Sequence, residues 1–105
     1  MRQSAVDLIA RRYRDPALTP DVVADELHVS RRHLYRLFEG ESKSPAMLIT
    51  DARVEAARKM LDADHRVQIG DVAVASGFGS LATFRNQFKA RHGVGPSEYR
   101  ERRRE

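Results

Sequence analysis

Apolar residues recur along this chain at three- and four-residue intervals and never in a sustained strand-like alternation, and prolines and glycines punctuate the runs. The pattern predicts an all-α fold. A first helix is expected over residues 3–14, with Val6, Ile9, Ala10 and Tyr13 facing the core and Asp15-Pro16 closing it. Thr19-Pro20 reads as an N-cap followed by proline at the first helical position, opening a helix to residue 28 that buries Val22, Val23 and Leu27. Ser30 caps the next helix, 31–39, with a stripe of Leu34, Leu37 and Phe38 and a stop at Gly40. Ser44-Pro45 repeats the cap-plus-proline device. It begins the longest helix, to residue 61, with Met47, Leu48, Ala52, Ala56, Met60 and Leu61 as expected contacts and a length of ~25 Å.

The polar stretch 62–66 reads as a loop, after which the pattern starts again. Ile69, Val72 and Ala73 open a short helix ending at Gly77. Ser80 caps another that buries Phe84 and Phe88 and is ended by Gly93 and Gly95-Pro96. Ser97 is read as the cap of a last short helix anchored by Tyr99. Laid together, the halves repeat: Val23-Ala24 matches Val72-Ala73, Val29 matches Phe78, Leu34 matches Phe84, Phe38 matches Phe88 and Pro45 matches Pro96, with the offset drifting from 49 to 51 residues. Each copy is a helix, a tight turn and a second helix, with a small alanine where the two would cross. This is the layout of a helix-turn-helix. The expected organisation is therefore a first subdomain at 1–43, a linker helix at 44–62 and a second subdomain at 63–105.

Charge placement separates a DNA reader from a plain helical pair. In the first copy the leading helix is acidic (Asp21, Asp25, Glu26), whereas the trailing helix carries Arg31, Arg32, His33, Tyr35 and Arg36 off its buried stripe. The second copy repeats this polarity, with Asp71 leading and Arg85, Asn86, Lys89 and Arg91 trailing. The trailing helix is the one that such motifs lay in the major groove. The net charge of +4 agrees in sign with a polyanionic partner. The 105 residues leave no room for an ordinary enzyme besides. The absence of cysteine excludes disulfides and thiolate metal sites. The four histidines, at 28, 33, 65 and 92, lack the spacing of a helical metal site, and no metal or cofactor is expected. No apolar run approaches a membrane span, so the expected location is the cytoplasm, at the nucleoid.

The stretches Val23-Ala24, Ser30 through Phe38 and Arg53 through Leu61, and above all Gly77-Phe78 with Phe84, Phe88-Lys89 and Gly93-Val94-Gly95-Pro96-Ser97-Glu98-Tyr99-Arg100, together resemble the DNA-binding domain of AraC/XylS-family transcription regulators. The resemblance implies two helix-turn-helix subdomains joined by a long helix and reading successive major-groove segments on one face of double-stranded DNA. Its base-reading positions fall on Arg32, Tyr35 and Arg36 in the first unit and on Leu81, Ala82, Arg85 and Asn86 in the second. Arginine can grip guanine bidentately, asparagine can do so at adenine, and Leu or Ala can meet a thymine methyl. Arg31, Thr83, Lys89 and Arg91 are better placed for phosphates, which fix register. The chain departs from the family pattern at His28, where glycine is common, at Asn86, where arginine is frequent, and at Gln87, which interrupts an apolar stripe. RNA polymerase is a further candidate partner. The chain alone is expected to be monomeric, with any dimerisation left to a domain it does not contain.

Plainer readings stand beside these. Phe38, Phe84, Phe88 and Tyr99 are core residues. Leu81 and Ala82 can equally pack under a neighbouring helix, and the tail Arg100, Arg102, Arg103 and Arg104 can be a solvated end as readily as a phosphate contact. The rival function is a helical protein-interaction adaptor, which would need an exposed apolar groove.

Overall fold

The computed structural model describes residues 1–104, except for the side chain of Arg104. These residues form seven α-helices and no strand: α1 (Arg2–Arg12), α2 (Pro20–Glu26), α3 (Arg31–Arg36), α4 (Pro45–Ala63), α5 (Ile69–Ala75), α6 (Leu81–His92) and α7 (Pro96–Arg104). The all-α expectation with paired short helices holds. None of the described helices is long and apolar enough to cross a membrane.

The chain packs as two compact units, Met1–Ala52 and the residues from Arg53 onward. The first encloses Ala5, Leu8, Ile9, Leu18, Val23, Ala24, Leu34, Phe38 and Ile49. Its α1 buries a face one residue away from the expected one: Ala5, Leu8 and Ile9 are inside, Val6 and Tyr13 are half-buried and Ala10 is exposed. Both faces have i, i+3, i+4 spacing, but the one holding Leu8 removes more apolar area from water than the one holding Ala10. The second unit encloses Val54, Ala57, Leu61, Val72, Ala73, Phe78, Phe84 and Phe88, and Tyr99 packs against this core.

Helix α4 differs from expectation in three ways. Pro45 is buried, and Ile49, one turn on, is 2% exposed, so Met47 lies on the far side and is half exposed. Val54 and Ala57, outside the expected contact set, are buried as well. The helix also runs on through Asp62 to Ala63, because Arg58 one turn earlier and the Tyr99 hydroxyl both bind the Asp62 carboxylate. Likewise α7 starts at Pro96, its first turn closed by the Tyr99 amide donating to the Gly95 carbonyl at 2.9 Å. Ser97 is thus inside the helix and is not its cap.

Candidate nucleic-acid interface

Local chemistry builds the same turn twice. The Thr19 hydroxyl accepts the Val22 amide at 3.3 Å and Pro20 takes the first helical position of α2. The turn that follows it has His28 at φ 59°, with the Val29 amide donating to the Ala24 carbonyl at 3.0 Å and the His28 amide to Asp25 at 3.1 Å. In the second unit Gly77 has φ 100°, the Phe78 amide donates to Ala73 at 2.9 Å and the Gly77 amide to Val74 at 3.1 Å. These are paired six-to-one and five-to-two bonds around a left-handed residue, the Schellman arrangement. It folds Val29 and Phe78 back over the helix just ended. Small residues, Ala24 and Ala73, occupy the carbonyl position that each turn closes on. The expectation of a tight turn at His28 and Gly77 is met, and His28 does adopt the left-handed conformation that glycine usually supplies.

Each turn delivers the chain to a serine-capped trailing helix. Ser30 Oγ accepts the His33 amide at 3.0 Å and Ser80 Oγ the Thr83 amide at 3.1 Å. A cap of this kind contributes ~1 kcal/mol. Leu34 and Phe38 hold α3 from beneath, while Phe84 and Phe88, both wholly buried, hold α6. The two helices differ in length: α3 tightens after Arg36, with the Phe38 amide bonding Tyr35 at 3.1 Å, whereas α6 keeps α-geometry to His92 and stops at Gly93, φ 80°.

On α3, Arg32 and Arg36 are exposed, and neither has an ion pair among the described residues. Together with the half-buried Tyr35, and with Glu39 just beyond the helix, they line a shallow depression. Arg31 adjoins it. Its Nε lies 3.6 Å from Asp21 on α2, and its guanidinium sits over the Tyr35 ring, 5.5 Å from the centroid. On α6, Ala82, Thr83, Arg85, Asn86, Lys89 and Arg91 are exposed. Leu81 is half-buried against the second core, which leaves only part of it facing outward. The Thr83 hydroxyl accepts a bond from Ser80 Oγ at 2.9 Å, and Arg91 Nη1 donates to the Gln87 amide oxygen at 2.9 Å. The structure therefore brings Arg31, Arg32, Tyr35 and Arg36 to one face of the first unit and Ala82, Thr83, Arg85, Asn86, Lys89 and Arg91 to the outer surface of α6.

A helix-turn-helix domain family matches residues 23–102, which span both turns and both trailing helices. The chain belongs to the AraC/XylS family of DNA-binding domains. It is 34% identical over 79 residues to a helix-turn-helix transcriptional regulator of Mycobacterium tuberculosis, Rv1931c, covering 74% of this chain and 30% of that protein. Its fold is similar to that of the C-terminal domain of AraT, a response regulator from Geobacillus stearothermophilus, with TM-score 0.89 and 29% identity over 96% of this chain and 84% of that one. A transcriptional regulator from Chromobacterium violaceum, described as AraC-type, gives TM-score 0.77 and 28% identity over 96% of this chain and 89% of that one. This AraC/XylS domain thus spans less than a third of the length of that curated relative. The family is one of sequence-specific DNA-binding transcription regulators and not of enzymes.

Some features of the domain escaped the sequence pattern. Ser76 is wholly buried beside the second turn, its hydroxyl donating back to the Val72 carbonyl at 2.6 Å, so a polar residue sits in the core without cost from an unmet bond. Glu39 stands at the rim of the basic depression, and no periodicity marks it. In the tail, Arg102 pairs with Glu98 at 2.9 Å, Arg103 approaches Asp62 at 3.4 Å and Arg100 donates to the Val67 carbonyl. These three are engaged within the second unit. The Arg104 side chain lies outside the described residues.

Proposed function

We propose that the domain binds one double-stranded DNA site as a monomer, with α3 and α6 entering successive major-groove segments. In this reading the helix-turn-helix subdomains 1–43 and 63–105 flank a linker segment, 44–62. Arg32, Tyr35 and Arg36 read bases in one segment, and Leu81, Ala82, Arg85 and Asn86 in the next. Arg31, Thr83, Lys89 and Arg91 take phosphates, and contact with RNA polymerase or a second protomer falls to other surfaces. The domain works at the nucleoid in the cytoplasm.

The observation that carries this reading is the duplicated turn, each copy followed by a helix with a polar, basic outer face: guanidinium groups on α3, and guanidinium, amide and ammonium groups on α6. An adaptor would instead present an apolar groove. Among the described residues the large exposed apolar side chains are Met1, Met47 and Val74, and none of them lies on α3 or α6.

Two unlike trailing helices predict a site of two unlike boxes without palindromy. Selection from random duplexes followed by footprinting at one protein per duplex should show two protected segments about one helical turn, ~34 Å, apart. Inserting about half a turn, ~5 base pairs, between them should then sharply lower affinity. A palindromic site filled by two copies, or indifference to the insertion, would refute the two-groove mechanism.

A further inference from the structure

Base reading by α6 depends on its pose, and the second unit contains a polar strut that reaches the back of this helix. Behind α6, the Tyr99 ring of α7 meets Phe88 edge-on, 5.3 Å between centroids and 74° between planes. His92 completes the cluster, 4.5 Å from Phe88 and 5.5 Å from Tyr99. The Tyr99 hydroxyl donates to both oxygens of Asp62, at 3.0 and 3.3 Å. Asp62 is itself fixed from within α4: Arg58 Nη1 donates to Oδ2 at 2.6 Å, while Nε and Nη2 of the same guanidinium grip Glu55 at 2.9 and 2.5 Å. The Arg58 fork holds the Glu55 carboxyl below its usual range. Arg100, next to Tyr99, donates to the Val67 carbonyl ahead of α5.

The tyrosine ring alone would satisfy the packing of α7. Its hydroxyl adds a directional bond to a carboxylate that is 22% exposed and locked in place by an arginine. Hydrogen bonds to ionised groups are shorter and stronger than those between neutral groups, and they are directional. Such a bond restricts where along α4 the ring can rest, and Phe88 of α6 packs on that ring.

We infer that Asp62 is a positioning residue for the second recognition helix, acting through Tyr99 on Phe88 to set which base edges Arg85 and Asn86 meet. The inference rests on the reading of α6 as a base reader. Tyr99→Phe keeps the ring and removes the bond, Asp62→Ala removes the acceptor, and Asp62→Asn keeps a neutral acceptor. Each variant is taken through selection from random duplexes, thermal melting and binding to non-specific duplex. The base pairs belonging to α6 are defined as those whose preference Arg85→Ala erases.

Tyr99→Phe and Asp62→Ala should each relax preference at those pairs by roughly five- to tenfold, the equivalent of one lost hydrogen bond. Preferences at pairs belonging to α3, and non-specific affinity, should stay at wild-type values. Asp62→Asn should recover part of the loss. A lowered melting temperature with all base preferences intact would make the strut purely structural and overturn the inference, as would uniform weakening on every sequence. If the wild-type domain shows no preference that Arg85→Ala erases, the reading of α6 falls and the inference falls with it.

Discussion

His28→Gly isolates the conformational cost that the first turn bears. His28 holds φ 59° at the position where Gly77 holds 100° in the other turn. A non-glycine residue in the left-handed well costs ~1–2 kcal/mol, and histidine falls toward the low end. Glycine relieves that cost but enlarges the unfolded ensemble, which takes back ~0.4–1 kcal/mol. The imidazole is exposed and the turn bonds are all backbone, from His28 to Asp25 and from Val29 to Ala24, so the substitution removes none of the hydrogen bonds that close the turn. The net change is then between zero and about +1 kcal/mol of stability, a midpoint shift of zero to ~8 °C upward for a domain of this size. The reciprocal Gly77→His should go the other way by ~1–3 kcal/mol, since φ 100° is farther into positive φ than the ~+60° that non-glycine residues tolerate and the site is buried. Thermal melts followed by far-ultraviolet circular dichroism measure both, with DNA affinity as a control. If His28→Gly destabilises by more than ~1 kcal/mol, the side chain holds the turn and the conformational argument is wrong.

Phe88→Ala should lower stability by ~3–5 kcal/mol, because a wholly buried ring with three aromatic neighbours leaves a large void; an unchanged melt would contradict that packing. Arg36→Ala should cost ~1–3 kcal/mol at the selected site and relax preference at one base pair, measured by competition against single-substitution duplexes. Equal weakening on all duplexes would make Arg36 a phosphate clamp.

What the sequence made legible was local. Thr19, Ser30, Ser44 and Ser80 each cap the helix they precede, and their hydroxyls accept amides three residues on. Such bonds depend on neighbours within one turn, so spacing alone finds them. The repeat was legible for the same reason, since both turns use one backbone arrangement. Features set by distant partners were not. Leu18 lies between helices yet is 1% exposed, because the first core closes over it. Asp62 reads as loop because an acidic residue in a polar run is ordinarily solvated; its hydroxyl partner is 37 residues away. Ser97 reads as a cap because Gly95-Pro96 reads as the stop of the helix before it, but the proline is itself the first residue of α7 and the cap position falls before it.

The candidate interface was legible in outline and incomplete in its electrostatics. A run of basic residues on a helix does not reveal which of them are already neutralised. Arg31 has Asp21 beside it, whereas Arg32 and Arg36 show no ion pair among the described residues. Elsewhere the acids hold arginines away from the trailing helices: Glu26 pairs with Arg12, Glu55 and Asp62 with Arg58, and Glu98 with Arg102. A paired cation must first give up its acid before it can meet a phosphate, and that exchange cancels part of the gain from releasing a counterion. An unpaired one on a rigid helix gives up nothing. The arginines that the family pattern assigns to bases in the first unit are thus also the ones that the fold leaves uncommitted, while Arg31, assigned to phosphate, is held over the Tyr35 ring beside them.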